Sequence, residues 1–271
     1  MKIDSAGLTD VGQRRKLNED AFLVEDAIGR GVSLYVVADG MGGHAAGEIA
    51  SAEALDAVHS MVIREIAKLE RLSKGPITQD IVHSAQRVLE AAVQNATYQV
   101  FGIAQHEPEQ QGMGTTLSAL ALVDPCYAIT AQVGDSRIYS VPAQPSDSAG
   151  NRPVPKQALM LTEDHTLVAW QLKQGIITEE EALLSPHKNV ITRAVGSREY
   201  VQVDTRFLDV QSGDAFMLCS DGLHGYVPDV EIADIVALGP KMACERFIQL
   251  ANDRGGRDNI TCVVIQVHEV G

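Results

Sequence analysis

The chain has 271 residues, of which 45% are hydrophobic, and its 22 Lys and Arg against 36 Asp and Glu give a net charge of −14. This length and apolar content are enough for one large domain or two modest ones with a sizeable core. A surface this acidic repels nucleic-acid backbones and anionic membranes, which argues against both as the main partner.

Short apolar runs of strand length, rich in β-branched residues, recur along the chain. In chain order they are AFLVED, SLYVVAD, TTLSALALV, CYAITAQV, RIYSV, ALMLT, VQVDTRFLDV, AFMLCS and NITCVVIQV. Apolar residues at helical spacing predict two long helices at about 48–66 and 78–103, and a third helix at about 242–252. Because the helices cluster between groups of strands, the pattern favours antiparallel sheets flanked by helices over a doubly wound parallel sheet.

Two segments interrupt this pattern. Residues 142–155 are rich in Pro, Ser, Ala and Gly and predict a flexible loop between two strands. Residues 163–190, which we call the flap, contain two short helical patterns around Gly175 and are typical of a substrate-facing excursion. Within the flap we expect Trp170 to be an anchor. His165 is placed where it could touch substrate, although a capping or packing role is favoured.

The N-terminus and the cysteines indicate a cytoplasmic protein. The first residues lead into a polar segment, unlike a signal peptide. The apolar runs are far shorter than the ~18 residues that cross a membrane. The cysteines share no metal-binding spacing and lie mostly in apolar runs, which favours buried free thiols over zinc ligands or disulfides. They are Cys126, Cys219, Cys244 and Cys262.

Acidic residues recur at the ends of the strand-like runs. They are Glu19, Asp20, Asp39, Asp135, Asp221 and Asp258. A single Asp beside a Gly is ordinary turn or helix-cap chemistry. Several carboxylates gathered at one end of a core, however, repel one another unless they are protonated or bridged by cations. A set of oxygen ligands without thiolates or paired histidines favours Mg²⁺ or Mn²⁺ over Zn²⁺.

Two such ions about 3.5–4 Å apart catalyse phosphate chemistry by polarising phosphoryl oxygens and acidifying a water. Such a site also needs a cation that holds the substrate phosphate. Arginine suits this task because its guanidinium is planar, bidentate and always charged. Arg14 and Arg15 lie shortly before the first acidic pair.

Eight segments of the chain, taken together and in this order, resemble the motifs of one protein family. They are RRKLNEDA, VVADGMGGHAAGE, GMGTTLSAL, QVGDSRIY, LTEDHTLV, ITRAVGS, LCSDGL and GGRDNITCVV, and they cover about residues 5–267. Together they resemble the metal-dependent protein serine/threonine phosphatases of the PP2C (PPM) class, in its bacterial form. The resemblance implies an α+β fold, a four-layer α-β-β-α sandwich of two antiparallel sheets. It also implies one domain over residues 1–271, with the flap beside a cleft that holds Mn²⁺ or Mg²⁺.

The resemblance assigns roles to individual residues at the first metal. Asp39 matches the carboxylate that bridges two ions, and the Gly40 carbonyl matches a ligand of one of them. Asp221 and Asp258 match the remaining ligands of the first ion.

The same resemblance assigns residues to the second ion, to a third ion and to the substrate phosphate. Glu19 and Asp20 match the acidic pair that binds the second ion directly or through water. Asp135 matches a ligand of a third, weaker ion in bacterial relatives, and Arg15 matches the arginine that holds the phosphate.

One departure concerns the general acid. Many relatives place a histidine directly after the Asp-Gly pair, whereas this chain has His44 three positions later. His44 is therefore a candidate proton donor to the leaving group, with two alternatives: it starts the following helix, or a metal-bound water donates the proton.

The resemblance predicts a phosphatase that hydrolyses phosphoserine and phosphothreonine in proteins with a metal-activated water, opposing a bacterial Ser/Thr kinase. Two alternatives stay open. One is a catalytically inactive binding module. The other is an enzyme of broader specificity that also acts on phosphotyrosine or small phosphoesters.

Overall fold

The computed structural model describes residues 2–42, 46–124, 127–143 and 157–268. The strands in these ranges are β1 Lys2–Asp10, β2 Asp20–Gly29, β3 Val32–Met41, β4 Gly114–Thr115, β5 Leu117–Val123, β6 Tyr127–Val133, β7 Arg137–Val141, β8 Leu159–Met160, β9 Asp204–Asp209, β10 Ala215–Cys219 and β11 Ile260–His268. The α-helices are α1 Ala46–Arg64, α2 Ile66–Leu69, α3 Gln79–His106, α4 Leu167–Lys173, α5 Glu179–Leu184, α6 Asp221–His224, α7 Asp229–Val236 and α8 Pro240–Asp253, and two 3₁₀ turns cover Glu70–Ser73 and Pro108–Gln110.

The strands form two antiparallel sheets. One has the order β1-β11-β10-β7-β8, and the other has the order β2-β3-β5-β6-β9 with the short β4 paired to the end of β3. The last strand, β11, therefore lies between the first strand and β10. Some pairs, such as β2 with β3, join strands adjacent in sequence, whereas β1 with β11 and β6 with β9 join segments far apart in the chain.

Strand β3 shows why the two sheets pack with helices outside them. Its side chains alternate between two apolar surroundings, because neighbouring residues of a strand point to opposite faces. Leu34 and Val36 pack with helices α1 and α3 in one cluster, whereas Tyr35 and Val37 pack between the sheets. A third cluster joins the other sheet to α7 and α8. These layers confirm the predicted four-layer α-β-β-α sandwich.

The structure confirms the long helices and corrects several details. The predicted strand over VQVDTRFLDV covers Asp204–Asp209, and the one over ALMLT covers Leu159–Met160. Strand β1 was not predicted, because its sequence lacks an apolar run. The flap contains α4 and α5, but Trp170 is 52% exposed, so the expectation that it anchors the flap is wrong.

Other predictions concern solvent and membrane contact. Cys219, Cys244 and Cys262 are buried free thiols, as predicted. Cys126 and residues 144–156 lie outside the described residues. None of the helices in the described part of the chain combines the length and the apolar character that crossing a bilayer requires.

Candidate metal centre and active site

The predicted acidic residues leave their strands at one end of the sandwich. Asp20 opens β2 directly opposite Asp39, near the end of β3. The last residue of β10 pairs with the third residue of β11. Asp221, just after β10, and Asp258, just before β11, therefore emerge at the same end. Asp135 lies in the turn between β6 and β7, and β7 begins opposite the end of β10.

Two threonines fix the backbone of Asp39 from below. The Asp39 amide donates to Thr116 Oγ1 at 2.9 Å. Its carbonyl accepts from the Thr116 amide and the Thr115 hydroxyl, each at 2.9 Å. Both side chains are fully buried in the GMGTT segment. This segment supports the cluster from beneath and presents the Asp39 side chain at the end of the strand.

Gly40 lies where a neighbouring helix leaves no room for a side chain. A Cβ at this position would be 2.1 Å from the Gly47 carbonyl oxygen and 2.5 Å from the Glu19 carbonyl oxygen. The Gly40 amide donates to that Glu19 carbonyl at 3.0 Å. The start of α1, the acidic pair and the end of β3 therefore meet through bare backbone.

Asn259 ties the acidic pair to the loop that carries the arginines. Its Oδ1 accepts from the Glu19 amide at 2.9 Å, and its Nδ2 donates to the carbonyls of Val11 and Leu17 at 3.0 and 2.9 Å. Asn259 follows Asp258 in the GGRDN segment. The sequence analysis does not predict a role for Asn259. Its position next to Asp258 was the one sequence feature that could have indicated it.

The carboxyl groups of the cluster raise one another's pKa values. Burial, followed by the charges of Asp20 and Asp221, raises the pKa of Asp39 well above its usual range. Burial raises the pKa of Asp20 to about 7, and the charges of Asp221 and Asp258 add to this. The pKa of Asp221 is raised by burial and by Asp258, and its carboxylate lies against that of Asp39. Without added positive charge, the cluster retains protons at pH values where an ordinary Asp is ionised.

The donor set fits hard divalent cations. Asp20 Oδ2 accepts from the Ser220 hydroxyl at 2.7 Å, but its buried Oδ1 has no hydrogen-bond partner among the described residues. The nearby Thr261 hydroxyl influences the Asp20 pKa, yet it already shares a 2.7 Å hydrogen bond with Thr9. A buried acceptor oxygen without a partner, among mutually repelling carboxylates, is suited to Mg²⁺ or Mn²⁺.

Within the described ranges, no three His, Cys, Asp or Glu side chains are placed to hold one metal together. Asp258 is instead paired with Arg15, since its Oδ2 accepts from Arg15 Nη2 at 2.8 Å. This ion pair is half-exposed, so solvent screens it and a divalent cation can replace it. The predicted phosphate-binding arginine thus rests on a predicted metal ligand.

Asp135 lies on the side of the cluster that faces the flap. Burial raises its pKa to about 7, with contributions from Asp221 and Asp164. Its backbone carbonyl contacts His224 Nε2 at 2.9 Å. Burial lowers the pKa of His224 to about 4. The imidazole is therefore neutral at pH 7, and Nε2 donates its proton to the Asp135 carbonyl.

His165 connects the flap to the same turn. The residue is 6% exposed, so its side chain is packed inside the protein. Its Nδ1 accepts from the Gly134 amide at 3.1 Å, and its Nε2 lies 3.1 Å from Asp204 Oδ2. Burial lowers the pKa of His165, which favours the neutral ring that this arrangement needs. The favoured packing role agrees with this position.

The structure thus places most of the predicted site residues at one end of the sandwich. Asp20, Asp39, Asp221 and Asp258 interact electrostatically, and Arg15 contacts the last of them. His44 lies outside the described residues.

Removing the charge of Asp20 is expected to stabilise the metal-free protein more at pH 8 than at pH 5. The folded-state pKa of about 7 exceeds the ordinary value of 3.8. The folded state therefore holds the proton longer, and stability is lost as the pH rises from about 4 to 7. Asp20→Asn should avoid this loss and should still accept from Ser220. We expect its gain in Tm over wild type to be about 5 °C larger at pH 8 than at pH 5.

Thermal unfolding in chelator at the two pH values measures this difference. Adding Mn²⁺ at pH 8 should reverse the order, because the cation stabilises the wild-type carboxylate and not the amide. An equal Tm gain at both pH values would show that Asp20 is ionised in the folded protein without metal.

Comparisons with known proteins all match this chain to one family of phosphatases. A family model described as protein phosphatase 2C matches residues 12–250. The protein phosphatase PhpP of Streptococcus pneumoniae is 35% identical over 266 residues, which cover 97% of this chain and 96% of PhpP.

Solved structures give the same result for the fold. The serine/threonine phosphatase Stp1 from Staphylococcus aureus superposes with a TM-score of 0.81 at 31% identity, covering 99% of this chain and 96% of Stp1. The catalytic domain of the serine/threonine protein phosphatase PstP, solved with 2 manganese ions, superposes with a TM-score of 0.73 at 31% identity. That match covers 98% of this chain and 99% of the PstP chain.

Proposed function

The chain belongs to the protein phosphatase 2C family and is a metal-dependent serine/threonine protein phosphatase of the bacterial type, and from this premise we propose that its acidic cluster is the catalytic centre. One observation carries the proposal. Carboxylates from distant parts of the chain meet at one end of the sandwich and raise one another's pKa values, so the cluster is fully ionised at neutral pH only when positive charge is added.

The proposed ligands divide between two cations. Asp39, Asp221 and Asp258 would hold the first ion. Asp39 would also hold the second, with Glu19 and Asp20 binding it directly or through water, and the Gly40 carbonyl would be a ligand of one of the two. When bound, Mn²⁺ or Mg²⁺ supplies Lewis acidity that polarises the phosphoryl oxygens and lowers the pKa of a water. Asp135, on the flap side, is proposed as a ligand of a third and weaker ion.

The remaining steps belong to groups of the chain itself. The Arg15 guanidinium, which contacts Asp258 in this structure, would donate two parallel hydrogen bonds to the substrate phosphate. His44, or a water in its place, donates the proton to the departing serine or threonine oxygen. We include no covalent enzyme intermediate, since the sequence contains no Cys-x₅-Arg motif.

The proposed substrates are proteins phosphorylated by a Ser/Thr kinase of the same cell. Three buried free thiols fit a reducing compartment, so we place the reaction in the cytoplasm.

Mn²⁺-dependent release of phosphate from a phosphothreonine peptide tests the function. Turnover should need Mn²⁺ or Mg²⁺ and should stop on chelation. A phosphotyrosine peptide of the same sequence distinguishes broader specificity, since equal turnover of the two would contradict the proposed preference. A protein that binds Mn²⁺ and hydrolyses neither peptide would be the inactive binding module instead.

Arg15→Ala is expected to lower kcat/KM for the phosphothreonine peptide by roughly a hundred-fold, because two charge-assisted hydrogen bonds to the phosphate are lost. Mn²⁺ affinity should be unchanged or higher, since Arg15 no longer competes for Asp258. Steady-state kinetics and calorimetric titration with Mn²⁺ measure the two effects separately.

The neighbouring Arg14→Ala is the matched control, because it removes the same charge from the same loop without a contact to Asp258. It should change kcat/KM by less than about three-fold. Equal losses in the two variants would show that the loop charge, and not the Arg15 guanidinium, supports the reaction.

A further inference from the structure

A groove of about 770 Å³ extends from the acidic cluster to the flap. Asp135 and Asp221 line its inner end, and residues of α4 and α5 line its outer wall. Its size falls in the range of sites that enclose a ligand. A substrate bound at the catalytic centre therefore lies beside this groove, which is bordered by the flap on one side and by α6 and α7 on the other.

Exposed apolar side chains of the flap and of the neighbouring strand β8 line this groove. Leu183 is 77% exposed, Met160 42% and Leu172 39%, and all three line the groove. Apolar groups of this size, exposed beside a polar site, are typical of a surface that binds another molecule. The adjacent Leu184 is 85% exposed but does not line the groove.

The groove is acidic beyond the catalytic carboxylates. Asp164 lines it, but its two oxygens accept from Arg137 at 2.9 and 2.8 Å, so this pair carries no net charge. Glu179 and Asp229 then contribute two negative charges, against Lys188 as the remaining lysine or arginine among the lining residues. The charge of the groove therefore favours a cationic ligand over an anionic one.

We propose that this groove binds the part of the phosphoprotein next to the phosphorylated residue, and that it prefers an apolar side chain against Leu172 and Leu183 together with a lysine or arginine against Glu179 and Asp229. The inference rests on the proposed function, because that function places the phosphate at the inner end of the groove. An extended chain advances about 3.3 Å per residue, so the residues concerned lie within a few positions of the phosphothreonine.

Four phosphothreonine peptides test this preference with the full chain in Mn²⁺. One carries leucine and arginine in the flank, one replaces leucine by glycine, one replaces arginine by glutamate, and one carries both replacements. We expect kcat/KM for the first peptide to exceed that for the last by about ten-fold or more, because both an apolar contact and a charge contact are lost. Arrays with the pair on each side of the phosphothreonine locate its direction.

Two pairs of adjacent residues provide matched variants. Leu183→Ser should lower the ratio of kcat/KM between the leucine and glycine peptides by about five-fold, whereas Leu184→Ser should leave this ratio unchanged. Glu179→Gln should lower the ratio between the arginine and glutamate peptides by about three-fold, whereas Glu180→Gln should leave it unchanged. All four positions are exposed, so the folded state should tolerate the substitutions.

The outcomes separate the groove from the function. If p-nitrophenyl phosphate and every peptide resist hydrolysis in Mn²⁺, the proposed function is wrong. If p-nitrophenyl phosphate and all four peptides are hydrolysed with equal kcat/KM among the peptides, the function holds and the groove inference is overturned. A dimer that Leu183→Ser disrupts, with peptide ratios unaffected, would assign the groove to a second copy of this chain and would also overturn it.

Discussion

Asp39→Asn is expected to lower Mn²⁺-dependent turnover of a phosphothreonine peptide by about 10³-fold or more while the protein stays folded. Burial and the charges of Asp20, Asp221, Asp135 and Asp258 all raise the pKa of Asp39, so it lies at the electrostatic centre of the cluster. An amide has the same shape but cannot bridge two cations with two charged oxygens. The backbone contacts from Thr115 and Thr116 do not involve the side chain and should persist.

The metal-free variant should also be at least as stable as the wild type at pH 8. Because burial and neighbouring charges raise the pKa of Asp39, ionising it destabilises the folded state, and the amide removes this cost. Asp209→Asn is the control. This exposed residue ends β9 and pairs with the first residue of β6, whereas the acidic cluster lies beyond the last residue of β6. Near-normal turnover in Asp39→Asn, measured at saturating Mn²⁺, would remove Asp39 from the metal centre.

Gly40→Ala is expected to destabilise the protein by about 3 kcal/mol and to lower turnover by about a hundred-fold. The added methyl group would lie 2.1 Å from the Gly47 carbonyl oxygen, and backbone cannot move aside as a flexible side chain does. The end of β3 or the start of α1 must therefore shift, and Asp39 shifts with it. Denaturant unfolding and peptide kinetics measure both losses.

Gly102→Ala makes the same chemical change but is expected to stabilise the protein instead of destabilising it. Gly102 lies inside α3, and a Cβ there would meet no atom within 4 Å. Alanine stabilises a helix relative to glycine, so this variant should gain up to about 1 kcal/mol and keep full activity. If the two alanine variants behave alike, the close packing at Gly40 is not what limits the site.

The apolar pattern predicts antiparallel sheets flanked by helices because it records burial directly, and the family resemblance adds the four-layer order. Strand β3 reads as a continuous apolar run since one face packs on helices and the other on the opposite sheet. Strand β1 escaped prediction because KIDSAGLTD has no such run, and its conformation comes from nine residues paired with β11. Its conformation is thus set by its partner more than by its own propensity.

In the candidate site, too, the sequence predicts some features and misses others. The acidic residues were found because Asp recurs at strand ends, which is a local signal. The Arg15–Asp258 ion pair joins residues 243 positions apart, and the Asn259 bridge to Glu19 joins residues 240 positions apart. Contacts across such distances follow from sheet order, which the apolar pattern does not specify.

The place of β11 in its sheet has a consequence for protein synthesis. Among the described strands β11 is synthesised last, yet it inserts between β1, the first of them, and β10. Asp258 lies directly before β11, so a nascent chain in which this segment is still inside the ribosome tunnel presents an incomplete set of the proposed ligands. Such a chain should neither retain manganese nor remove phosphate from neighbouring proteins, and catalytic competence should begin only once β11 has left the tunnel and paired.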